Sequence, residues 1–387
     1  MKLITFLGTG NYEETTYCWG ERAKCTRFLQ EALVEWLQPK CVVMLLTEQA
    51  RSKNWDACKA RLQGITEIHE VSIPDGKSEQ ELWQIFEAID SAVEKGDTLA
   101  YDITHSFRSL PMITLLAIAY LKQVKEVQLM HLLYGVFEAK DEQGRAPVFE
   151  LTPFAELLDW LTAAKMFIAT GDSRELASLL EREQNEAWRE HRSQPPRSLK
   201  SLASALESVS NNLLLSRVPH LANSVEKLQQ GLKQAQSEIR VWTPLLVPLL
   251  EQIEQAYSKF ANDDLKTQLD LIEWYLQRGH IVQAMTLARE WLISYQAQQI
   301  SKDWRNRNHR VDAECTLNKG LHEKRDDPLT RCWSQVIVLR NDLAHCGFGR
   351  AEGQVLEAKN IIGQAREVHK QLRDICKKAF PPADSSA

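Results

Sequence analysis

A short run of glycines and polar residues near the N-terminus is the first group that could do chemistry. Segment 7–12 (LGTGNY) directly follows the apolar run 3–7. Glycines at such a turn let backbone N–H groups approach a phosphate. A dinucleotide-binding fingerprint would need a third glycine where the chain has Glu13. A ligand loop and a plain strand-to-helix turn are therefore both open for this segment.

A second group packs hydroxyls, an imidazole and a guanidinium into one turn. It is segment 102–111 (DITHSFRSLP), in which Pro111 is placed to start a helix. Polar donors and the positive end of that helix would converge on one anion site. A capped helix with Arg108 in solvent is the alternative. We favour the anion site, because this segment and segment 7–12 both follow strands and must emerge at the same edge of the sheet.

A third group ends a helix in the C-terminal half. Segment 336–345 (VIVLRNDLAH) combines Arg340, which could clamp a phosphorane, with His345, which could move a proton near neutral pH. Five residues turn through about 140° on a regular helix, so the two side chains do not share a face. A complete site then needs a bend or a second copy of the chain. For the motif alone, side chains that only satisfy helix-end carbonyls are the simpler interpretation.

A fourth group is the basic segment 302–310 (KDWRNRNHR). Interleaved Arg, Asn and Trp could guide single-stranded RNA by phosphate pairing and base stacking. A solvated loop explains the same residues equally well.

The elements around these groups divide the chain into two halves. Strands are predicted at 3–7, 41–46, 68–73, 98–103 and 127–133, and helices near 21–37, 53–63, 78–95 and 109–123. Apolar strands separated by helices predict a Rossmann-like α/β parallel sheet with both faces covered. Phe137 and the run 147–151 predict a hairpin at the sheet edge.

After residue 153 only helical patterns continue. Helices are predicted at 154–168, 174–188, 199–215, 221–239, 244–260, 265–277, 281–295, 329–343 and 355–377. Segment 191–197 contains a Pro pair and predicts a linker or long turn. Segment 300–328 is polar and shows no pattern.

Composition narrows the class of protein. The chain has 387 residues, a net charge of −5, 44% hydrophobic and 26% charged residues. These values argue against disorder and against a global basic field for nucleic acid. The eight cysteines form no Cys-x-x-Cys pair, and no export signal or membrane span is apparent, so we expect reduced thiols in a cytoplasmic protein. The His and Cys spacings match no common zinc pattern, and we expect no metal or cofactor.

Segments 7–12, 102–108 and 340–345 together make the chain similar to the Csx1 group of type III CRISPR-associated proteins. The resemblance implies a CARF domain (CRISPR-associated Rossmann fold) at 1–152 and a helical linker or insertion region at 153–260. It implies a HEPN ribonuclease domain (higher eukaryotes and prokaryotes nucleotide-binding) at 261–387. One departure is Ser106, where the second CARF motif of the family has glycine, and this bears on ligand preference.

The family implies a homodimeric endoribonuclease that cyclic tetra- or hexa-adenylate activates in antiviral defence. The residues that the resemblance assigns to the ring are Thr9, Gly10, Asn11, Thr104, His105, Ser106 and Arg108. Those assigned to cleavage of single-stranded RNA are Arg340, Asn341 and His345. Without a carboxylate cluster for a metal, attack by the RNA 2′-hydroxyl on the adjacent phosphate is the expected chemistry.

Two other functions are compatible with these residues. One is a sensor whose helical half only mediates assembly or regulates transcription. The other is a ring nuclease whose N-terminal pocket degrades the messenger with Thr104, His105 and Ser106. A nicotinamide-dependent oxidoreductase is disfavoured because the third glycine is missing.

Overall fold

A computed structural model describes residues 1–105, 110–189, 194–242, 244–351 and 353–379. The chain divides into two compact units, Met1–Asp159 and Trp160–Ala387. The domain boundaries predicted at residues 152 and 260 are not tested by this separation into two units and stay predictions.

The first unit is built on one eight-stranded sheet. Its strands are β1 Lys2–Leu7, β2 Thr15–Trp19, β3 Arg22–Thr26, β4 Cys41–Leu46, β5 Glu67–Ser72, β6 Thr98–Asp102, β7 Gln128–Gly135 and β8 Arg145–Glu150. The strand order is β3-β2-β8-β7-β6-β1-β4-β5, and the five strands from β7 to β5 in this order are parallel. The sequence prediction of a Rossmann-like parallel sheet is confirmed.

Helices cover both faces of this sheet. They are α1 Leu29–Leu37, α2 Glu48–Ala50, α3 Asp56–Leu62, α4 Glu79–Ser91 and α5 Leu110–Val124, with a π turn at Arg51–Trp55 between α2 and α3. Apolar residues of α1 and α3, including Leu33 and Cys58, pack on one face of the sheet. Apolar residues of α4 and α5, including Ile89 and Ile118, pack on the other face. The buried strands β1 and β4 therefore lie between two apolar cores, as near-continuous apolar runs require.

Two local predictions about this sheet are wrong. The helix predicted near 21–37 begins only at Leu29, because residues 15–26 form the antiparallel pair β2 and β3 around Gly20, whose φ is +59°. Helix-forming residues such as Arg22 and Lys24 adopt strand conformation here, since pairing between strands overrides intrinsic propensity. The predicted hairpin at the sheet edge is also placed wrongly. Strand β8 does pair antiparallel with β7, but β2 adds to its other side, and Phe137 lies in a 3₁₀ turn.

The second half is helical, as the sequence predicts. Its helices are α6 Thr152–Thr170, α7 Arg174–Arg189, α8 Leu199–Leu214, α9 Val218–Trp242, α10 Val247–Ser258, α11 Leu265–Gln277, α12 Ile281–Gln299, α13 Arg307–His322, α14 Pro328–Ala344 and α15 Ala358–Ala379. Large aromatic side chains such as Trp274, Trp291 and Trp333 are fully buried in its core. These three tryptophans therefore pack in a core rather than form platforms for bases.

Helix α13 is the element that the sequence missed. Its buried face consists of Ala313, Leu317 and Gly320, two of which are too small to produce a clear apolar period. Within the described ranges, no helix combines the length and apolar character that crossing a bilayer requires.

Candidate ligand and phosphate sites

The two N-terminal motifs emerge side by side at one edge of the sheet. Strands β1 and β6 are parallel neighbours, with Thr5 opposite Asp102. The segments that follow them meet: a Cβ atom added to Gly8 would lie 3.4 Å from Cβ of His105. The structure thus agrees with the expectation that both motifs contribute to the same sheet edge.

A buried carboxylate fixes the second motif. Asp102 is fully buried and accepts hydrogen bonds from the Thr5 hydroxyl at 2.6 Å, and from the Thr104 backbone N–H at 3.0 Å and hydroxyl at 2.5 Å. The Thr104 hydroxyl in turn accepts a bond from the Gly135 N–H at 2.7 Å. Thr104, predicted to bind ligand, therefore has its hydroxyl occupied inside the protein and positions the turn.

The carbonyl groups of residues 8–10 in the first motif are held by the π turn. The Asn54 amide donates to the carbonyl oxygens of Gly8 at 2.9 Å and Gly10 at 3.0 Å, and Lys53 Nζ donates to the carbonyl oxygen of Thr9 at 2.7 Å. A π turn inside a helix is often found at functional sites. Neither Lys53 nor Asn54 was singled out from the sequence, because a π turn leaves no reliable signal there.

Three successive backbone N–H groups of this motif, those of Thr9, Gly10 and Asn11, have no acceptor within the described ranges. Successive N–H groups without an acceptor can bind an anion, and the ammonium group of Lys53 adds positive charge beside them. Three of the predicted ligand residues therefore offer backbone donors.

The two glycines of the motif have different surroundings, which limit an added side chain at one position and not at the other. A Cβ atom on Gly8 would meet Tyr12 Oη at 3.1 Å, so contacts within the chain limit the side chain there. A Cβ atom on Gly10 would meet no described atom within 4 Å. Internal packing thus explains Gly8 but leaves open space at Gly10.

Tyr12 and His105 close the space behind the loop. Their rings meet edge to face with centroids 4.8 Å apart, and the Tyr12 hydroxyl accepts a bond from the Gly8 N–H at 2.8 Å. Burial lowers the pKa of His105, against the opposing effect of Asp102 and Glu138, and favours the neutral imidazole. The His105 Nε2 atom is buried and has no hydrogen-bond partner within the described ranges. The predicted ligand residues Ser106 and Arg108 lie outside the described residues.

The third motif lies at the end of α14. Arg340 Nη1 donates to Asn341 Oδ1 at 3.1 Å, while the Arg340 Nε atom is buried without a partner among the residues described. His345 is the C-cap of the helix, with φ −96° and ψ 10°, and its N–H bonds the Asn341 carbonyl at 3.0 Å. Its imidazole is exposed and makes no hydrogen bond to the part of the chain that the structure describes.

A buried ion pair fixes the turn that follows. Arg350 Nε donates to Asp342, a nearly buried carboxylate, and Cys346 and Gly347 adopt positive φ angles of 53° and 79°. Such a left-handed pair ends the helix directly after His345. The fold thus holds Arg340, Asn341 and His345 at one helix end but does not join the imidazole to the guanidinium.

The fourth motif is largely engaged inside the protein. Arg305 bonds Asp263 at 3.1 Å, Arg310 bonds Glu290 at 2.6 Å, and Lys302 pairs with Asp312. Trp304 packs against the helical core and, with Arg305, lines a cavity of about 750 Å³. These contacts favour a structural role for segment 302–310 over guidance of RNA.

Comparisons with known proteins match the N-terminal sheet region and part of the helical half to two different families. Residues 2–142 match the family described as CRISPR system endoribonuclease Csx1, CARF domain. Residues 156–270 match the family described as CRISPR-associated protein MJ1674, second domain. The chain is also 26% identical over 202 residues to CRISPR-associated protein MJ1674 from Methanocaldococcus jannaschii. That similarity covers 51% of this chain and 29% of the relative.

The first family match contains both N-terminal motifs and the sheet edge at which they meet. The second match spans most of the region predicted as a linker or insertion, and extends into the predicted HEPN domain. The HEPN assignment itself stays a prediction. The sheet, the edge at which both motifs meet and the first match together show that the N-terminal unit contains a CARF domain of the family described for Csx1, while part of the helical half is similar to CRISPR-associated protein MJ1674.

Proposed function

We propose that this protein is an endoribonuclease of type III CRISPR antiviral defence that cyclic oligoadenylate activates. The ring binds at the carboxyl edge of the CARF sheet. Single-stranded RNA is cleaved, without a metal ion, at the end of α14, where a second copy of the chain completes the site.

The observation that carries this proposal is the buried Nε atom of Arg340, which has no hydrogen-bond partner among the described residues. A buried donor without an acceptor costs about 1 to 3 kcal/mol, so folded proteins rarely retain one without a reason. A phosphate oxygen is a suitable acceptor for it, because guanidinium groups bind phosphates through charge-assisted hydrogen bonds. Asn341 and the exposed His345 lie within the same helix end.

The N-terminal edge supports an anionic, symmetric ligand. The N–H groups of Thr9, Gly10 and Asn11, which have no acceptor among the described residues, suit a phosphodiester, and Lys53 adds a nearby cation. A ring of adenylates carries one negative charge per nucleotide and has rotational symmetry. A two-fold dimer presents the same loop to both halves of such a ring.

An apolar stripe on α5 supports the dimer. Met112, Leu116, Tyr120 and Val124 recur at every fourth position, and between 41% and 74% of each is exposed. An exposed apolar stripe of this kind is typical of an interaction surface. The helix starts directly after segment 102–109, so a two-fold contact along α5 would bring two ligand edges together.

The proposed chemistry needs only groups at the end of α14 and its partner copy. The RNA 2′-oxygen forms a bond to the adjacent phosphorus, and the bond from phosphorus to the 5′-oxygen breaks. A 2′,3′-cyclic phosphate and a 5′-hydroxyl result, since the 2′-proton leaves and the 5′-oxygen gains a proton. His345 transfers a proton, Arg340 stabilises the charge of the phosphorane, and Asn341 orients Arg340 through the observed hydrogen bond.

The test is cleavage of labelled single-stranded RNA in EDTA, with and without cyclic tetra- or hexa-adenylate, by wild type and His345→Ala. The proposal expects cleavage only with one ring and loss of cleavage in the variant. His322→Ala removes an exposed imidazole from α13 and is the matched control. Activity that vanishes in EDTA and returns only with a divalent ion would contradict the metal-free mechanism.

A second function is favoured by the buried, unpartnered Nε2 atom of His105. A neutral imidazole there can accept the proton of a ribose 2′-hydroxyl, so the N-terminal pocket could slowly open the ring. Linear oligoadenylate that accumulates with a His345→Ala protein, but not with His105→Ala, would support this activity.

A further inference from the structure

One donor of the phosphate-binding loop is already occupied by the protein itself. The Gly8 N–H donates to the Tyr12 hydroxyl at 2.8 Å, whereas the next three N–H groups have no described acceptor. Gly8 is the first residue after β1, so its amide lies at the edge where the two motifs meet. The hydroxyl oxygen thus takes the position that an anionic oxygen would take on this amide.

The Tyr12 side chain is held in this position by several contacts. Its ring packs against Phe28, with centroids 5.1 Å apart, and against His105 at 4.8 Å. Its carbonyl oxygen accepts a bond from Arg27 Nε at 3.0 Å. The backbone of residue 12 is therefore anchored independently of the hydroxyl, so the side chain can move without release of the loop.

A phosphate oxygen competes well for this amide. Hydrogen bonds to an ionised acceptor are about twice as strong as those between neutral groups. The loop carbonyls stay fixed by Lys53 and Asn54, so exchange of the acceptor on Gly8 requires no rearrangement of the backbone. A rotation of Tyr12 also removes the ring that covers one edge of His105.

We propose that Tyr12 is a displaceable internal substitute for the ligand, whose hydroxyl occupies the Gly8 amide until a phosphodiester of the ring replaces it. This inference rests on the proposed function, because it requires that the sheet edge binds an anionic ring. It assigns to Tyr12 a role in setting affinity: part of the binding free energy of the ring is used to break the bond between Tyr12 and Gly8.

The first experiment measures the affinity of cyclic tetra- and hexa-adenylate for wild type, Tyr12→Phe and Tyr295→Phe by calorimetry. Tyr12→Phe removes the competing hydroxyl and keeps the ring contacts, so we expect binding about 3- to 10-fold tighter than wild type. Tyr295→Phe removes a tyrosine hydroxyl from α12 in the second unit and should bind as wild type does. Binding that is unchanged in Tyr12→Phe overturns the inference, and weaker binding shows instead that the hydroxyl contacts the ligand.

The second experiment examines the protein without ligand. Selective ¹⁵N labelling of the 16 glycines, with Gly8→Ala to assign one signal, gives the hydrogen-exchange rate of the Gly8 amide. The inference expects slower exchange in wild type than in Tyr12→Phe, and equal rates overturn it.

A failure of the proposed function can be distinguished from a failure of the inference about Tyr12. If neither ring binds wild type or variant, the proposed ligand is wrong and the displacement inference fails with it. If a ring binds wild type and Tyr12→Phe with the same affinity, the proposed ligand stands and only the role of Tyr12 is overturned.

Discussion

The sheet edge of the N-terminal unit and the end of α14 differ in how their polar side chains are held, although each contains one buried nitrogen without a partner among the described residues, His105 Nε2 and Arg340 Nε. At the sheet edge, Asp102 and Thr104 bond each other and their neighbours, and the loop carbonyls of residues 8–10 are all held. At the end of α14, a buried nitrogen of Arg340 has no partner within the described part of the chain, and His345 points its imidazole into solvent.

The N-terminal sheet edge is therefore preorganised for a ligand, whereas the site at the end of α14 is incomplete. The first site holds its donors in place before a ligand arrives, which lowers the entropy that binding must offset. At the second site, Arg340 Nε has no acceptor among the described residues, and under the proposed function RNA or a second copy supplies one. Substitutions should therefore affect mainly the stability of the protein at the first site, and mainly activity at the second.

The largest expected effect follows substitution of Arg340. Arg340→Met keeps the apolar stem but removes the guanidinium, so ring-activated RNA cleavage should fall about 10²- to 10³-fold. The free energy of unfolding should be unchanged or higher by up to about 1 kcal/mol, because an unpaired buried donor disappears. Urea denaturation and the cleavage assay measure the two effects. Arg331→Met, on the exposed side of the same helix, should change neither by much, and a marked loss of stability in Arg340→Met would contradict the comparison.

Substitution of Asp102 should affect mainly stability, in contrast to substitution of Arg340. Asp102→Ala leaves the Thr5 hydroxyl and both Thr104 donors without their acceptor, so the protein should lose about 3 kcal/mol of unfolding free energy. Asp56→Ala removes an exposed carboxylate of α3 and should cost less than about 0.5 kcal/mol. Equal midpoints of urea denaturation for the two variants would show that the buried network contributes little.

The two glycines sharpen the comparison within one loop. Gly10→Val adds atoms where no described atom lies within 4 Å of the added Cβ, so stability should stay within about 1 kcal/mol of wild type while ring binding weakens about tenfold. Gly8→Ala places its Cβ against Tyr12 and His105 and should lower stability as well. Thermal denaturation and calorimetric titration of both variants test this order, and unchanged ring affinity in Gly10→Val would show that the open space is not the ligand site.

The smallest effect concerns pH. Burial lowers the pKa of His105, so the unfolded chain takes up a proton as pH falls through about 6.5 while the folded chain resists. Unfolding free energy should therefore fall below pH 6.5, with a slope of up to about 1.4 kcal/mol per pH unit from this residue. His369, whose pKa burial also lowers, gives a slope of the same sign in the helical unit. His105→Gln and His369→Gln should each flatten the denaturation profile between pH 5 and 7. A profile that neither substitution alters would mean that other groups cause the slope.

Much of this architecture could be predicted from the sequence. The apolar run at 41–46 and the boundaries of α11 follow from periodicity and end signals, since both elements are buried on the sides that their patterns indicate. Helix α13 and the strand β3 could not be predicted in this way. One has a buried face of mostly small residues, and the other contains helix formers that pair as a strand only because β2 lies beside them.

The candidate site, too, could be predicted from the sequence only in part. The Gly8 and Thr104 segments could be found because glycines and hydroxyls after strands have a local meaning, and parallel strands bring such segments to one edge. Lys53 and Asn54 lie more than 40 positions away from the loop that they hold, and no local pattern connects them to it.

The sequence by itself therefore determined the class of the protein and its motifs, because periodicity, glycine placement and helix ends depend on neighbours along the chain. Only the tertiary structure decided which donors are free. It occupied the Thr104 hydroxyl with Asp102 and directed the carbonyls of residues 8–10 toward the π turn. It left a nitrogen of Arg340 without a partner in the part of the chain that the structure describes. The physical reason is that satisfaction of a buried polar group depends on atoms that folding brings together from distant positions in the chain.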